Sequence, residues 1–180
     1  MKKSALYLSL LCATIAKADV PPVPVPLENP ITEEKRVLGK ILFWDSQLSS
    51  DNRVACGSCH SPALAGTEPR RAVHPGPDGW FDTDDDILGS LGIALRNENN
   101  NPIPDPVFEL NRQVTQRAAP SFIMAMYSDS LFWDGRAKGQ FVDPLDPQNV
   151  IIETGAALEN QALGPILNDV KTSIKNTIFN

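Results

Sequence analysis

The residues best equipped for chemistry stand together in Cys56-Gly57-Ser58-Cys59-His60, where two thiols three positions apart are followed directly by an imidazole. Thiols at this spacing can add across the two vinyl groups of one haem, and the adjacent imidazole can then ligate the iron. Covalent attachment suits a small, loop-rich chain that cannot enclose a porphyrin in a large apolar pocket. Two other chemistries draw on the same residues. One is a redox or structural disulfide between Cys56 and Cys59; the other is a zinc site built from Cys56, Cys59, His60 and His74. The disulfide leaves His60 without a task. The zinc set would consume every cysteine and histidine beyond residue 18, with Cys59 and His60 adjacent and hard to place on one tetrahedron. Haem c is the favoured reading, and the other two remain open alternatives.

A second group of candidate ligands is acidic. Asp82, Asp84, Asp85 and Asp86, with Asp78 nearby, offer oxygen ligands of the kind Ca²⁺ takes. They do not follow the EF-hand order, since the twelfth position from Asp82 is Ile93. A solvated loop with helix-start acids is the favoured reading of this run.

The elements that must position these groups can be read from the N-terminus. Lys2 and Lys3, the apolar stretch from Ala5 to Ile15 and the Ala16-Lys17-Ala18 pattern have the form of an export signal over residues 1–18, which places the body in the periplasm. Removal of that segment takes away Cys12 and three lysines but no acid, and moves the formal charge from −6 to −9. Residues 19–30 hold Pro21, Pro22, Pro24 and Pro26, which favour an extended polyproline-type arm. The body, residues 31–180, opens on an amphipathic helix: Thr32 can cap it, Glu33 and Glu34 suit its N-terminus, and Val37, Leu38, Ile41 and Leu42 recur at helical spacing. A second helix is expected through Ile87, Leu88, Leu91 and Leu95. A short one should open at Pro120 and run through Phe122, Ile123 and Met126. Val150 to Leu163 and Pro165 to Ile178 read as two more, broken at Gly164-Pro165, while residues between Glu98 and Gln113 read as loop. No alternation of period two persists, so the expected class is mostly α; with the haem reading of Cys56 to His60 the expectation is a cytochrome c-like haem domain of short helices and long loops.

Composition bounds the partners. With 22 acidic and 16 basic residues among 180, the chain is no basic nucleic-acid binder, and its only long apolar run lies in the export segment, so no membrane span is expected. Sixteen prolines and eleven glycines fit one modest core with irregular connections.

The flanks of the thiol motif resemble a known family. Leu38-Gly39-Lys40-Ile41-Leu42-Phe43 leads through Asp45, Leu48-Ser49 and Asp51 to the motif. Arg117-Ala118-Ala119-Pro120-Ser121 then precedes Leu131-Phe132-Trp133-Asp134-Gly135-Arg136-Ala137, and Gln161-Ala162-Leu163-Gly164-Pro165 follows. In that order these blocks resemble the N-terminal domain of bacterial dihaem cytochrome c peroxidases and their MauG-like relatives. The resemblance implies an exported enzyme that reduces hydrogen peroxide with electrons from a small donor protein, such as a monohaem cytochrome or a cupredoxin. It further implies that Cys56 and Cys59 attach the peroxidatic haem, that His60 is its proximal ligand, that Trp133 lies on the electron route and that Arg136 organises that region. His74 sits roughly where some members keep a displaceable distal ligand, and Met124 and Met126 are the alternatives.

Three departures accompany the resemblance. The position of the family's distal glutamate corresponds to Lys171, with Glu153, Glu159 and Asp169 as the other carboxylates in reach. The asparagine that helps bind Ca²⁺ in relatives corresponds to Ala118. No second Cys-x-x-Cys-His follows before Asn180, so the expectation is the first half of a dihaem enzyme, with an apolar face left for self-association. A mono-haem electron-transfer protein is the alternative.

Overall fold

The computed structural model describes residues 19–166 and residue 168; residues 1–18, expected as an export signal, and the carboxyl-terminal stretch, with Asp169, Lys171 and most of the helix expected from Pro165 to Ile178, lie outside the described residues. Helix α1 spans Glu33–Trp44, as its periodicity predicts, and the Thr32 hydroxyl accepts from the Lys35 amide at 3.3 Å to cap it. Its apolar side chains are not sealed into the core, since none of the helix's residues is buried. Helix α2 is a single turn, Cys56–Cys59, and α3 spans Ala157–Ile166. Pro165 does not end α3 at Gly164: it sits in the last turn, with one helical residue after it.

The expectation of a mostly α chain is corrected by eight short strands in four two-stranded antiparallel sheets among the described residues. Strand β1 (Ala72–His74) pairs with β2 (Ile87–Gly89), and β3 (Leu91–Ala94) with β4 (Arg112–Val114). Further on, β5 (Ser130–Leu131) pairs with β6 (Ala137–Lys138), and β7 (Phe141–Val142) with β8 (Val150–Ile152). The stretch through Ile87 and Leu95, expected as a helix, is therefore two strands meeting at Ser90. Three or four apolar residues cannot distinguish helical from extended spacing, and Gly89 and Gly92 weaken a helix there. The helix expected from Pro120 is reduced to a 3₁₀ turn at Ala125–Tyr127, and Val150–Ile152 is strand rather than helix.

The core is small. Among the described residues Ile93 is fully enclosed, and Val54, Ala55, Val114, Ala125, Ala137, Ile152, Ala156 and Ala157 are other buried apolar residues, drawn from sequence-distant segments. Buried serine and threonine hydroxyls hold the junctions that apolar packing leaves loose. Ser90 and Thr115 exchange backbone and side-chain bonds: the Ser90 amide donates to Thr115 Oγ1 at 2.8 Å and the Thr115 amide to the Ser90 carbonyl at 3.0 Å. Ser49 Oγ, 1% exposed as a residue, accepts from the amides of Arg53 and Val54, both at 3.0 Å, and so shapes the loop that enters α2. The proline arm is not free of the body. Tyr127 Oη donates to the Pro21 carbonyl at 2.7 Å, and Asn29 Nδ2 donates to Glu159 Oε1 at 3.0 Å, which ties the arm to α3. Among the described residues no helix is long and apolar enough to cross a membrane.

Two glycines give opposite predictions. A methyl at Gly89 would overlap the Thr115 carbonyl oxygen where β2 runs into β3, so Gly89→Ala should lower stability by about 1–3 kcal/mol or more, as overpacking does. A methyl at Gly39, inside α1, meets nothing within 4 Å, so Gly39→Ala should raise stability by roughly 0.5–1 kcal/mol. Urea titration of both variants measures the contrast.

Candidate functional site

The thiol motif forms one helical turn because its start and end are both bonded. The Ala55 amide donates to Ser58 Oγ at 3.0 Å, and the His60 amide donates to the Cys56 carbonyl at 3.0 Å. That turn is seated on α1 through Gly57, where a Cβ would overlap the Trp44 ring. Phe43 stands edge-on to Trp44 at 5.0 Å between centroids and to Phe122 at 5.8 Å, and Phe122 lies 6.0 Å from the His60 ring. The aromatic side chains of α1 and of the segment after Pro120 thus back the motif.

His60 Nδ1 lies 2.9 Å from the Gly66 carbonyl oxygen. A carbonyl can only accept, so Nδ1 carries the hydrogen and the lone pair of the neutral ring is on Nε2. This is the tautomer a metal-ligating imidazole needs, with its second nitrogen oriented by a backbone oxygen. Gly66 reaches that position at φ +78°, and a Cβ there would stand 2.6 Å from Phe122 Cδ1, so the loop is specific to glycine. Ser121 Oγ donates to the Ala65 carbonyl at 2.5 Å and holds the same loop from the other side.

Cys56 and Cys59 are both free thiols, Cys56 exposed and Cys59 partly buried. Desolvation by the surrounding chain raises both thiols above the ordinary range, at Cys56 through the close packing of its turn on α1 although part of the residue faces solvent. For Cys59 the nearby Glu68 carboxylate adds to burial, while Arg70 opposes it. Among the described residues no three or more His, Cys, Asp or Glu side chains gather so as to hold a metal ion, and the four-residue zinc set does not assemble. In the acidic loop, Asp85 accepts from the Asp78 amide at 3.1 Å and from Thr83 Oγ1 at 2.6 Å, and Asp86 accepts from the Asp82 amide at 2.8 Å. Those carboxylates organise the loop's own chain.

A charged group beside Cys59 escapes a reading by motif. Arg70 Nη2 lies 3.2 Å from Cys59 Sγ, and its Nε lies 2.7 Å from Glu68 Oε1, a carboxylate only 3% exposed. Ser90 also bonds to Glu68 through its hydroxyl, and Ser90 Oγ accepts from the Ala119 amide at 2.8 Å. The Arg117–Ser121 block is therefore fastened to the motif through a polar relay. Burial pushes the Glu68 carboxyl up, but the bonds from Arg70 and Ser90 outweigh it and leave its pKa lowered. The only sequence signal for this group is the spacing of Glu68 and Arg70 shortly after the motif.

The remaining predicted residues lie on other parts of the chain. His74 ends β1, and its Nδ1 accepts from the Gly76 amide at 3.1 Å, which puts the proton of the neutral ring on Nε2. Ligation through Nε2 would require that bond to be given up. His74 packs edge-on to Phe108 at 5.7 Å, whereas His60 stands beside Phe122. Met124 is exposed at φ +67°, and Met126 lies with Val23, Pro24 and Leu158 where the arm meets α3. Trp133, 89% exposed, projects from the β5–β6 turn. Arg136 stacks 3.7 Å over the Phe132 ring and grips both Asp134 oxygens at 2.8 and 2.9 Å, fixing that turn. Ala118 is exposed. Glu159 is engaged by Asn29, and Glu153 accepts from Gln140 Nε2 at 3.2 Å.

Comparison with known proteins follows the motif outward. The family model described as di-haem cytochrome c peroxidase matches residues 33–178. A cytochrome-c peroxidase of Denitromonas iodatirespirans is 60% identical over 45 residues, 25% of this chain and 12% of that protein. The methylamine utilization protein MauG of Methylophilus methylotrophus is 42% identical over 115 residues, 64% of this chain and 24% of its own length. A cytochrome c551 peroxidase of Nitrosomonas europaea is 27% identical over 177 residues, 93% of this chain and 37% of that protein. The chain thus spans little more than a third of even the longest of these matches.

The Glu68 carboxyl predicts an acid limb of stability. Its folded pKa lies below the ordinary value, so its contribution is fully present above the unfolded glutamate pKa of about 4.3 and is lost as pH falls through the lowered folded value. Thermal melts between pH 6 and 3 should show a fall that Glu68→Gln partly flattens.

Proposed function

The chain belongs to the di-haem cytochrome c peroxidase family, and on that premise we propose that it is an exported haem c protein of the peroxidatic kind. Cys56 and Cys59 would attach the porphyrin and His60 would ligate the iron through Nε2. The observation that carries this reading is the His60 Nδ1 bond to the Gly66 carbonyl, which leaves a correctly prepared nitrogen next to two free thiols. The donor set fits the group: a soft thiol pair at one-turn spacing for thioethers, and a neutral imidazole for iron.

When bound, the haem would supply an iron site at which hydrogen peroxide, taking two electrons from a donor protein and two protons, would be reduced to two waters. The protein's own residues supply the frame. The Gly66 carbonyl keeps the His60 ring oriented and its basicity high. Phe43, Trp44 and Phe122 present apolar surface behind the motif. Trp133 offers an exposed indole at a turn stiffened by Phe132, Asp134 and Arg136, a suitable point for electrons to enter from a small redox protein or a second haem domain. Residues 1–18 would direct export to the periplasm, residues 19–30 would strap the body, and residues 31–180 would form the haem domain.

The chain produced in cells that attach haem c should carry one haem whose spectrum changes promptly on addition of cyanide and of peroxide. A c-type spectrum indifferent to both would assign electron carriage, with His74 or a methionine as sixth ligand, instead of peroxide chemistry. Trp133→Leu should leave the haem spectrum unchanged and slow reduction by a small donor protein on the order of tenfold, about 1.4 kcal/mol of barrier. Stopped-flow reduction measures it.

A further inference from the structure

Arg112 is a cation without a carboxylate of its own. Its Nε donates to the Gly92 carbonyl at 2.5 Å and its Nη2 to the Leu91 carbonyl at 3.4 Å. Arg70 Nη2 donates to the same Leu91 carbonyl at 3.2 Å. One backbone oxygen therefore gathers both guanidinium groups next to Cys59 Sγ, which Arg70 also touches. Arg70 is neutralised by Glu68. Arg112 makes no ion pair among the described residues; the standing charges that act on it are Arg70 and Arg53, which oppose its own, and Asp51, which favours it. Burial, with the Arg70 charge next, holds its pKa below the ordinary arginine value, as expected for a cation crowded by another. A partly buried, uncompensated positive charge is weakly screened and acts over a longer range than a surface one.

We propose that Arg112 sets the reduction potential of the iron held at His60, its fixed positive charge favouring the ferrous state, while Glu68 contributes an opposing negative charge beside the same thiol. The inference rests on the haem reading above. One-electron reduction turns a ferric porphyrin core of net charge +1 into a neutral ferrous one, so a nearby cation opposes the oxidised form and a nearby anion favours it. The pairing of Arg70 with Glu68 leaves Arg112 as the unbalanced charge. The higher potential that results eases acceptance of an electron from a weakly reducing donor.

The test is a redox titration of the full chain, purified with its haem, using dithionite and mediators and reading the absorption of the reduced form. Arg112→Gln should lower the ratio of reduced to oxidised haem at a fixed potential about tenfold, a shift of about 59 mV for one electron. Glu68→Gln should move the ratio in the opposite direction, and Arg112→Lys should stay within about twofold of the wild type, since it keeps the charge. Opposite signs are something a merely structural role for either residue would not produce. An unchanged ratio in Arg112→Gln, or shifts of the same sign in both neutral variants, overturns the inference. Should Arg112→Gln not fold, the sign of the Glu68→Gln shift decides the question alone. A pyridine haemochrome assay on the wild type separates the two levels. Covalent haem with unresponsive potentials overturns this inference only, and absence of haem c overturns it together with the reading on which it rests.

Discussion

A single backbone oxygen, the carbonyl of Gly66, determines which nitrogen of His60 carries a proton, and the surrounding structure serves to hold that oxygen where it is. The imidazole alone would exchange between tautomers; bonded at Nδ1, the neutral ring keeps its lone pair on Nε2. The loop from His60 to Gly66 is closed by its own backbone bonds: Gly66 and Leu64 both donate to the Ser61 carbonyl, at 2.7 and 3.0 Å. It is pinned from outside by Ser121 on Ala65 and by Phe122 against Gly66. Sequence-distant segments thus converge on one hydrogen bond, and Phe43 of α1 packs against the same Phe122.

Charge is arranged around this geometry with similar economy. The Glu68 carboxylate is nearly sealed from water, and a buried carboxylate is tolerable only when it is paired and hydrogen-bonded. Arg70 and Ser90 meet that demand, and Ser90 in turn fastens the Ala119 amide and the Thr115 hydroxyl. A network that satisfies its own members also fixes the relative positions of the chain segments they come from. In a chain whose buried apolar residues are few and mostly alanine and valine, such polar junctions take on much of the positioning that packing does elsewhere.

How much of this was legible in the sequence depended on the range of the interaction. Helix α1 was readable because its cap, its acids and its apolar spacing are all local. The Cys56 to His60 motif was readable because two thiols and an imidazole within five residues form a local pattern. The strands were not: β1 to β8 are two to four residues long, too short for a period to declare itself, and each exists only through its partner across a turn. The residues around Ile87 and Leu91 satisfied a helical pattern and still became strands, because pairing with β1 and β4 overrode it. Trp133 and Arg136 were singled out by resemblance, which indicates a position and not a contact; the stacking of Arg136 on Phe132 became visible only in three dimensions. The charged group of Glu68, Arg70 and Arg112 was missed because Arg112 reaches it across 42 residues of chain from Arg70.

The central claim is that Cys56 and Cys59 bear a haem whose iron His60 ligates. Intact-mass analysis with peptide mapping, on the chain exported by cells that attach haem c, tests it most directly. The predicted result is one haem retained under denaturing conditions and mapped to the peptide carrying Cys56, Cys59 and His60. An exported chain with both thiols unmodified, or joined to each other as a disulfide, would contradict it.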